Sequence, residues 1–523
     1  MIGQDTFSKS ERWYVLALSL LLVFALFNNL GIYALYLEEP RRGLIALELI
    51  FNDNFWVPTQ TGDLYFRKPP VYNWTLILSY KLFGSYSEFA SRFVSVLSFL
   101  LMAGSTYRFA RRYMGEQVAV LSALSLLVSV DMLFYYSTLG EIDLFYSWVT
   151  LMAFFAIYHY GEEKRYYALF TIAYGLSAIG FLTKGLSSLP FLGISLLVYF
   201  IATRSFKKLF SLQHLVGGLV FLAMVGGYFY MYSQYEDPTG WWNTLINESA
   251  DKATKGGFMA FLNHFLSFPL DTLKNLMPAT LVLPLLVGKQ WWRSVKNDKL
   301  LFLLALLFMA NFALYWVSIE ARSRYIYPLF PLAIMLLMQG FTRVELKPWH
   351  QRYLRILSYV LLAIATLGGP ALLFIPAFEL LDYRLWVAVC LLALSVGLWV
   401  FMLKTKLRPY LVIIGVLVVM RLGFSMTIPI TRAENTGAAE DRTLGYEIAQ
   451  ITEGQPLWRY GDVRMSLTIV FYLEAAREEV LRQRDSFDSG YYFCYTEDLP
   501  QAGYELVHEF HYHQRPVFLI KVE

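Results

Sequence analysis

Runs of apolar residues long enough, or nearly so, to cross a lipid bilayer recur along most of this chain, and they exclude most folds at once. They lie at about 13–32, 89–107, 117–136, 142–160, 166–184, 186–203, 212–232, 270–288, 299–318, 325–341, 353–375, 385–403 and 409–427. A helix needs roughly 20 apolar residues to cross the hydrocarbon core, and only a helix or a closed barrel satisfies its backbone there. The pattern predicts an all-α polytopic membrane protein. Composition agrees: of 523 residues, 57% are hydrophobic and only 16% charged, with a mean hydropathy of +0.45, too apolar for a soluble chain. A net charge of +4 is small and does not speak for a nucleic-acid partner; none is expected. Cys390 sits in an apolar run and Cys494 near the end, a placement that makes neither a disulfide framework nor a zinc cluster. Lys9 and Arg12 precede the first run and no small-residue cleavage site follows, so that run reads as an uncleaved span.

The stretch Val71–Phe83 is apolar but only about thirteen residues long, with Lys81 inside it, which suits an interfacial or re-entrant helix. Charge parity supports leaving it out of the spans. With a cytoplasmic N-terminus, the basic clusters of residues 108–112, 164–165, 204–208, 289–299, 343–355 and 404–408 then all face the cytoplasm, as the positive-inside rule requires. If 71–83 crossed, every one of them would flip. The expectation is about thirteen spans, with the N-terminus in and the C-terminus out.

The opposite face receives the 33–88 loop, a turn holding Glu141 and Asp143, the pair Lys184-Gly185, the 233–269 loop, and Glu320-Ala321-Arg322-Ser323-Arg324. Carboxylates and cations thus gather at one end of several spans, whereas a pump or channel more often buries charge at mid-span. Arg421 is the mid-span exception, with Asp382 or Glu379 as its candidate partner. In the first outer loop, Pro40 and the spacing of Leu44, Leu47 and Ile50 predict a short amphipathic helix over 40–51 in the interface plane. Glu38 and Glu39 lie at its N-terminal end, where the helix dipole favours negative charge. Trp241 and Trp242 read as interface anchors, and Lys252 and Lys255 of the same loop are candidates to meet a lipid phosphate. Composition turns polar near residue 430, which divides the chain into a transmembrane domain, 1–430, and a small extracytoplasmic α/β domain, 431–523. The latter shows helical patterns over 440–451 and 466–476 and strand-like runs over 491–495, 504–511 and 516–522. His508, His511 and His513 lack an acidic or Cys partner at ligand spacing, so no metal site is assigned to them.

In chain order the outer face carries Glu38-Glu39-Pro40-Arg41, Arg67-Lys68-Pro69-Pro70, Asp143 opening a span, Lys184-Gly185 closing one, and Arg324-Tyr325-Ile326-Tyr327-Pro328. This order resembles the GT-C membrane glycosyltransferases of the protein O-mannosyltransferase superfamily, and within it the bacterial branch of lipid A aminoarabinose transferases. The resemblance covers roughly residues 10–340 and rests on five motifs in order on one membrane face. It implies a GT-C-like fold with interfacial helices and a periplasmic active site in the bacterial inner membrane. The implied partners are a polyprenyl-phosphate-linked sugar donor, membrane lipid, and an envelope acceptor that is a lipid A-like glycolipid, another glycan or a protein. The family's Asp-Glu-x-Arg reads here as Glu38-Glu39-Pro40-Arg41, which leaves Glu38 and Glu39 both as candidates for its carboxylate. Its Glu-Lys-Pro-Pro has Arg67 in place of the acid, so only the lysine role carries over, to Lys68. The second carboxylate maps to Asp143, with Glu141 nearby. Lys-Gly maps to Lys184-Gly185, and Tyr-x-x-Pro to Tyr325 and Pro328, preceded by Arg322 and Arg324. The arginine that aminoarabinose transferases place after the large outer loop has Lys252 as its nearest match.

The chemistry implied by the resemblance is coherent. Breaking a sugar–phosphate bond develops negative charge on the leaving phosphate, which Lys68, Arg324 and Lys252 would stabilise and to which Tyr325 would donate a hydrogen bond. Glu38 or Glu39 would orient and deprotonate the acceptor, with Asp143 the second candidate. Arg41, Glu141, Lys184 and Arg322 would support them. Single displacement with inversion is expected. No cofactor is expected; a divalent metal is compatible but not required. No nucleotide-binding loop is evident, in keeping with a lipid-linked donor. Two rivals come from other classes. A lipid or solute transporter would show paired inverted halves, which are not seen. A non-enzymatic envelope assembly protein, carried by its C-terminal domain, would find the outer carboxylates dispensable.

Overall fold

The computed structural model describes residues 7–244, 247, 257–405 and 407–523, with the side chains of 433–435 left aside; Lys252 and Lys255 lie outside the described residues. Among the described residues ten helices are long and apolar enough to cross a membrane, or eleven when Glu116–Leu127 and Val130–Thr138, bent by 48°, count as one. The 37-residue run Tyr166–Ala202 among these is a folded-back pair, Tyr166–Lys184 and Leu189–Ala202. Its chain reverses at Gly185, whose φ is +73°, and Phe170 stacks on Phe200 with ring centroids 5.4 Å apart. Chain contacts divide the molecule into two units.

The first unit, Met1–Leu30, Ser95–Gly227 and Leu245–Ile430, is a set of apolar helices whose starts are written locally. Ser8 caps Lys9–Phe27, its hydroxyl accepting from Glu11 N–H at 3.2 Å while Glu11 accepts from Ser8 N–H at 2.9 Å. Asp298 caps Lys299–Trp316 by accepting from the N–H groups of Leu300 and Leu301. The span expected over 270–288 does not form as one helix. Phe258–Asn275 ends inside it, and only the short turns Ala279–Val282 and Leu283–Leu286 follow. Pro278 and Pro284 remove two N–H donors from the ladder that a continuous helix would need. Arg421 is buried at 1% exposure and donates to the carbonyls of Leu133 at 2.7 Å and Ala25 at 3.4 Å. Of the two candidate partners, Asp382 and Glu379, the latter pairs with Arg384.

The second unit is Gly31–Val94, Tyr228–Thr244 and Thr431–Glu523. The expected helix over 40–51 is present as Glu39–Phe51, with Pro40 in its first turn. It is enclosed on every side: residues 44–49 are at most 1% exposed. Gly43 permits this, because a Cβ there would lie 2.6 Å from the Phe471 ring. Val71–Phe83 forms a helix of 13 residues closed by Gly84, whose φ of +60° suits a left-handed cap, and it is not among the spanning helices. Between the two lies a hairpin, β1 (Thr59–Gln60) and β2 (Asp63–Leu64). Trp241, expected at an interface, is fully buried, its ring edge-to-face with Phe229 at 5.0 Å and with Trp242 at 5.7 Å.

The C-terminal part of this unit is a five-stranded sheet with helices Ala438–Ile451 and Leu467–Arg477. Its strands are β3 (Leu457–Tyr460), β4 (Arg482–Arg484), β5 (Gly490–Cys494), β6 (Tyr504–Tyr512) and β7 (Arg515–Val522), in the order β4-β3-β5-β7-β6. The β4-β3-β5 edge is parallel and β5-β7-β6 antiparallel. Parallel neighbours need a crossover, and Leu467–Arg477 supplies it between β3 and β4. The sequence marks β5, β6 and β7 but not β3 and β4. At four and three residues these are too short to show alternation.

Candidate active-site residues

In the second unit, two adjacent glutamates have opposite surroundings. The chain reaches them through Leu37, which sits at φ +59°, a backbone region that a leucine adopts only when its surroundings hold it there. Glu39 is buried against Arg92, with both side chains at 0% exposure. Arg92 Nε donates to one carboxylate oxygen at 2.7 Å and Nη2 to the other at 3.0 Å. The same guanidinium donates to the carbonyls of Tyr33 at 2.8 Å and Ala34 at 2.9 Å, and its carbon lies 3.8 Å from the centre of the Tyr33 ring. Glu39 also accepts from Tyr36 N–H. Glu39 therefore anchors the turn over residues 33–39.

Glu38 faces the other way, with its side chain 36% exposed. Arg41 holds both of its oxygens, at 2.5 and 2.7 Å, and Arg42 Nη2 reaches it at 3.4 Å. Arg42 Nη1 donates in turn to Tyr65 OH at 3.2 Å. Arg41 thus partners Glu38. Further along, Lys68 is half-buried, between exposed Arg67 and buried Pro69 and Pro70, just ahead of the Val71–Phe83 helix.

In the first unit, four of the expected residues come together. Asp143 lies in the first turn of Ile142–Glu162 and Lys184 in the last turn of Tyr166–Lys184, positions where helix dipoles favour an anion and a cation respectively. Lys184 Nζ is 2.6 Å from Asp143 Oδ1, and Arg324 Nε is 3.8 Å from Oδ2. Lys184 also lies over the rings of Tyr146 and Tyr325, at 4.8 Å from each centroid. Arg324 and Tyr325 are presented by the tight helical turn Ser323–Leu329. With its side chain 2% exposed between two cations, Asp143 has the arrangement of a fixed counter-charge. Its neighbour Glu141 is buried at 4%, and its carbonyl accepts from Ser95 Oγ at 2.9 Å. Arg322 is exposed. Among the described residues no group of three or more His, Cys, Asp or Glu is placed to hold a metal ion.

Arg92 and Arg42 did not stand out in the sequence. Arg92 carried a signal that was there to be used: it is a charge near the start of an apolar run, which by default marks a functional or paired position. Arg42, one more basic residue beside Arg41, carried none.

These helices, with their enclosed short helices and small C-terminal sheet, form a GT-C-like membrane fold. The crystal structure of ArnT from Cupriavidus metallidurans bound to undecaprenyl phosphate superposes with a TM-score of 0.71, covering 99% of each chain at 20% identity. Residues 67–229 match the family described as dolichyl-phosphate-mannose-protein mannosyltransferase. An undecaprenyl phosphate-alpha-4-amino-4-deoxy-L-arabinose arabinosyl transferase 2 of Proteus mirabilis (strain HI4320) is 26% identical over 378 residues, 69% of this chain and 66% of the relative. The corresponding transferase of Edwardsiella ictaluri (strain 93-146) is 28% identical over 351 residues, 65% of this chain and 61% of the relative. An uncharacterized protein of Aquifex aeolicus (strain VF5) is 21% identical over 322 residues, 61% and 57% of the two chains. The matched region spans less than two thirds of the length of these relatives. The chain resembles the aminoarabinose transferase branch of the protein O-mannosyltransferase superfamily.

Proposed function

We propose that this chain is an integral-membrane glycosyltransferase that moves a sugar from a polyprenyl-phosphate donor, of the undecaprenyl type, to an envelope acceptor. The observation that carries the reading is the division of labour at residues 38 and 39. Arg92 holds Glu39 and the turn rigid, which leaves Glu38 at the head of its helix as the carboxylate able to meet a substrate. Support comes from the relatives named for undecaprenyl phosphate-aminoarabinose transfer.

In the proposed reaction the acceptor oxygen bonds to the sugar's anomeric carbon as the bond from that carbon to the phosphate oxygen breaks. Glu38 takes the acceptor's proton and polyprenyl phosphate leaves, with inversion at the sugar. Lys68, Arg324, Tyr325 and Lys252 are each proposed as candidates to meet the donor phosphate. Asp143 holds Lys184 and Arg324 in place. The active site and the C-terminal domain are assigned to the periplasmic side of the inner membrane, in keeping with the basic cytoplasmic loops, and no metal is required.

The test is turnover of an undecaprenyl-phosphate-linked sugar by the purified protein in detergent, followed by release of undecaprenyl phosphate. Glu38→Gln should keep donor binding and lose about 10²–10⁴-fold in turnover, as for removal of a general base. Full turnover by Glu38→Gln would remove Glu38 from the chemistry.

A further inference from the structure

The chain that leads to Glu38 is buried yet irregular. Ala34 and Leu35 are 6% and 0% exposed, and residues 34–36 belong to neither helix nor strand. A buried segment without a ladder must find partners for its backbone N–H and C=O groups elsewhere. Arg92 serves the carbonyls of Tyr33 and Ala34. Leu35, the next residue, is held from the C-terminal part of the same unit. Its N–H donates to the Tyr472 hydroxyl at 2.9 Å, and its carbonyl accepts from Thr468 Oγ1 at 3.3 Å, partners 437 and 433 residues away in the chain. Both stand on the helix Leu467–Arg477, four positions apart and so on one face.

The direction of the Tyr472 bonds is fixed by a further partner. Its hydroxyl lies 2.9 Å from Glu88 Oε1, and Arg442 Nη1 pairs with the same oxygen at 3.0 Å. A carboxylate in an ion pair offers only acceptors, so Tyr472 donates its one proton to Glu88 and keeps a lone pair for Leu35 N–H. Arg442 Nη1 also donates to the Ile32 carbonyl at 3.2 Å, which ties the start of the same segment to this network. Tyr472 and Thr468 are buried, at 1% and 6% exposure.

The grip on Leu35 passes to Glu38 through a closed turn. Tyr36 N–H donates to the Glu39 carboxylate at 3.2 Å, Glu39 N–H donates to the Tyr36 carbonyl at 3.2 Å, and Leu37 between them is held at φ +59°. The place of Glu38 therefore follows from the place of Leu35. We infer that Tyr472 and Thr468 are positioning residues for Glu38, so that the C-terminal part takes part in glycosyl transfer by setting where the acceptor carboxylate stands. This rests on the reading of Glu38 proposed above. A reacting group displaced by about 1 Å can cost about 100-fold in rate, so the clamp acts on turnover and leaves donor binding alone.

The experiment uses the full-length protein in detergent and reads three things: amide hydrogen exchange over residues 31–38, thermal unfolding, and kcat and KM for an undecaprenyl-phosphate-linked sugar. Tyr472→Phe keeps the ring and removes the hydroxyl. It should exchange faster over 31–38 and lose about 10–100-fold in kcat, with the donor KM at its wild-type value. Thr468→Val keeps the shape without the hydroxyl and should lose kcat in the same sense, and Thr468→Ser should recover it. Variants that unfold at lower temperature while their folded fraction keeps the wild-type kcat overturn the inference. So does unchanged exchange in Tyr472→Phe, or a Thr468→Ser protein as impaired as Thr468→Val. If Tyr472→Phe does not fold, the Thr468 pair decides by the same readings. Normal turnover by Glu38→Gln would sink the reading of Glu38 itself, whereas the exchange measurement needs no turnover and reports on the clamp alone.

Discussion

Arg92 grips Glu39 through two parallel hydrogen bonds, of 2.7 and 3.0 Å, in a place neither side chain shares with solvent. The same guanidinium holds the carbonyls of Tyr33 and Ala34, so one side chain sets the approach to Glu38. The motif of two consecutive acids followed by arginine is thereby divided: the second acid is an internal fastening and the first faces outward to Arg41.

Removing the Glu39 charge should therefore act on stability. A buried pair that loses one partner costs about 3–5 kcal/mol, so Glu39→Gln should lower the unfolding temperature and yield of the protein well below those of Glu38→Gln. Thermal unfolding of the two purified variants beside their turnover checks this. Equal stability with turnover lost only in Glu39→Gln would exchange the roles of the two residues.

Asp143 is the shared counter-charge of Lys184 and Arg324. Asp143→Asn should leave both cations under-compensated, with a loss of stability of about 3–5 kcal/mol and weakened donor affinity. Asp143→Glu should recover part of both. Donor titration and unfolding of the two variants decide it; an Asp143→Asn protein of normal stability that has lost turnover alone would make Asp143 a reacting group instead.

Lys68→Ala should weaken donor binding by roughly 1.5–3 kcal/mol, the loss of one charge-assisted contact, or about tenfold to a hundred and fifty-fold. Lys68→Arg should restore little, since a planar fork replaces a compact charge. Donor affinity measured in detergent reads both variants, and unchanged affinity in Lys68→Ala would take Lys68 out of the phosphate contacts.

A reporter active only outside the cytoplasm, fused after Glu523, should be active, because the basic loops are assigned to the cytoplasm. Activity instead from a reporter that works only in the cytoplasm would reverse the assignment of the C-terminal domain.

What the chain announces in its own order is whatever local physics governs. Apolar runs specify membrane helices because the bilayer demands internally bonded backbone. Pro40 and the spacing of Leu44, Leu47 and Ile50 specify the Glu39–Phe51 helix, and the apolar but short 71–83 segment emerges as a helix of 13 residues. Asp143, Lys184 and Arg324 could be named in advance because charged residues at span ends stand out against apolar sequence, and Tyr325 through the family resemblance. The tertiary structure alone decided which partner each charge takes. Nothing near Glu39 in the chain points to Arg92, 53 residues away, because such a pair exists only once distant segments have been packed together and dried. The same holds for β3 and β4, whose parallel pairing depends on a crossover helix, and for the failure of 270–288 to continue as one helix, where two prolines outweigh an otherwise apolar run. Hydrophobic periodicity is a property of neighbours in sequence; the matching of buried charge is a property of neighbours in space.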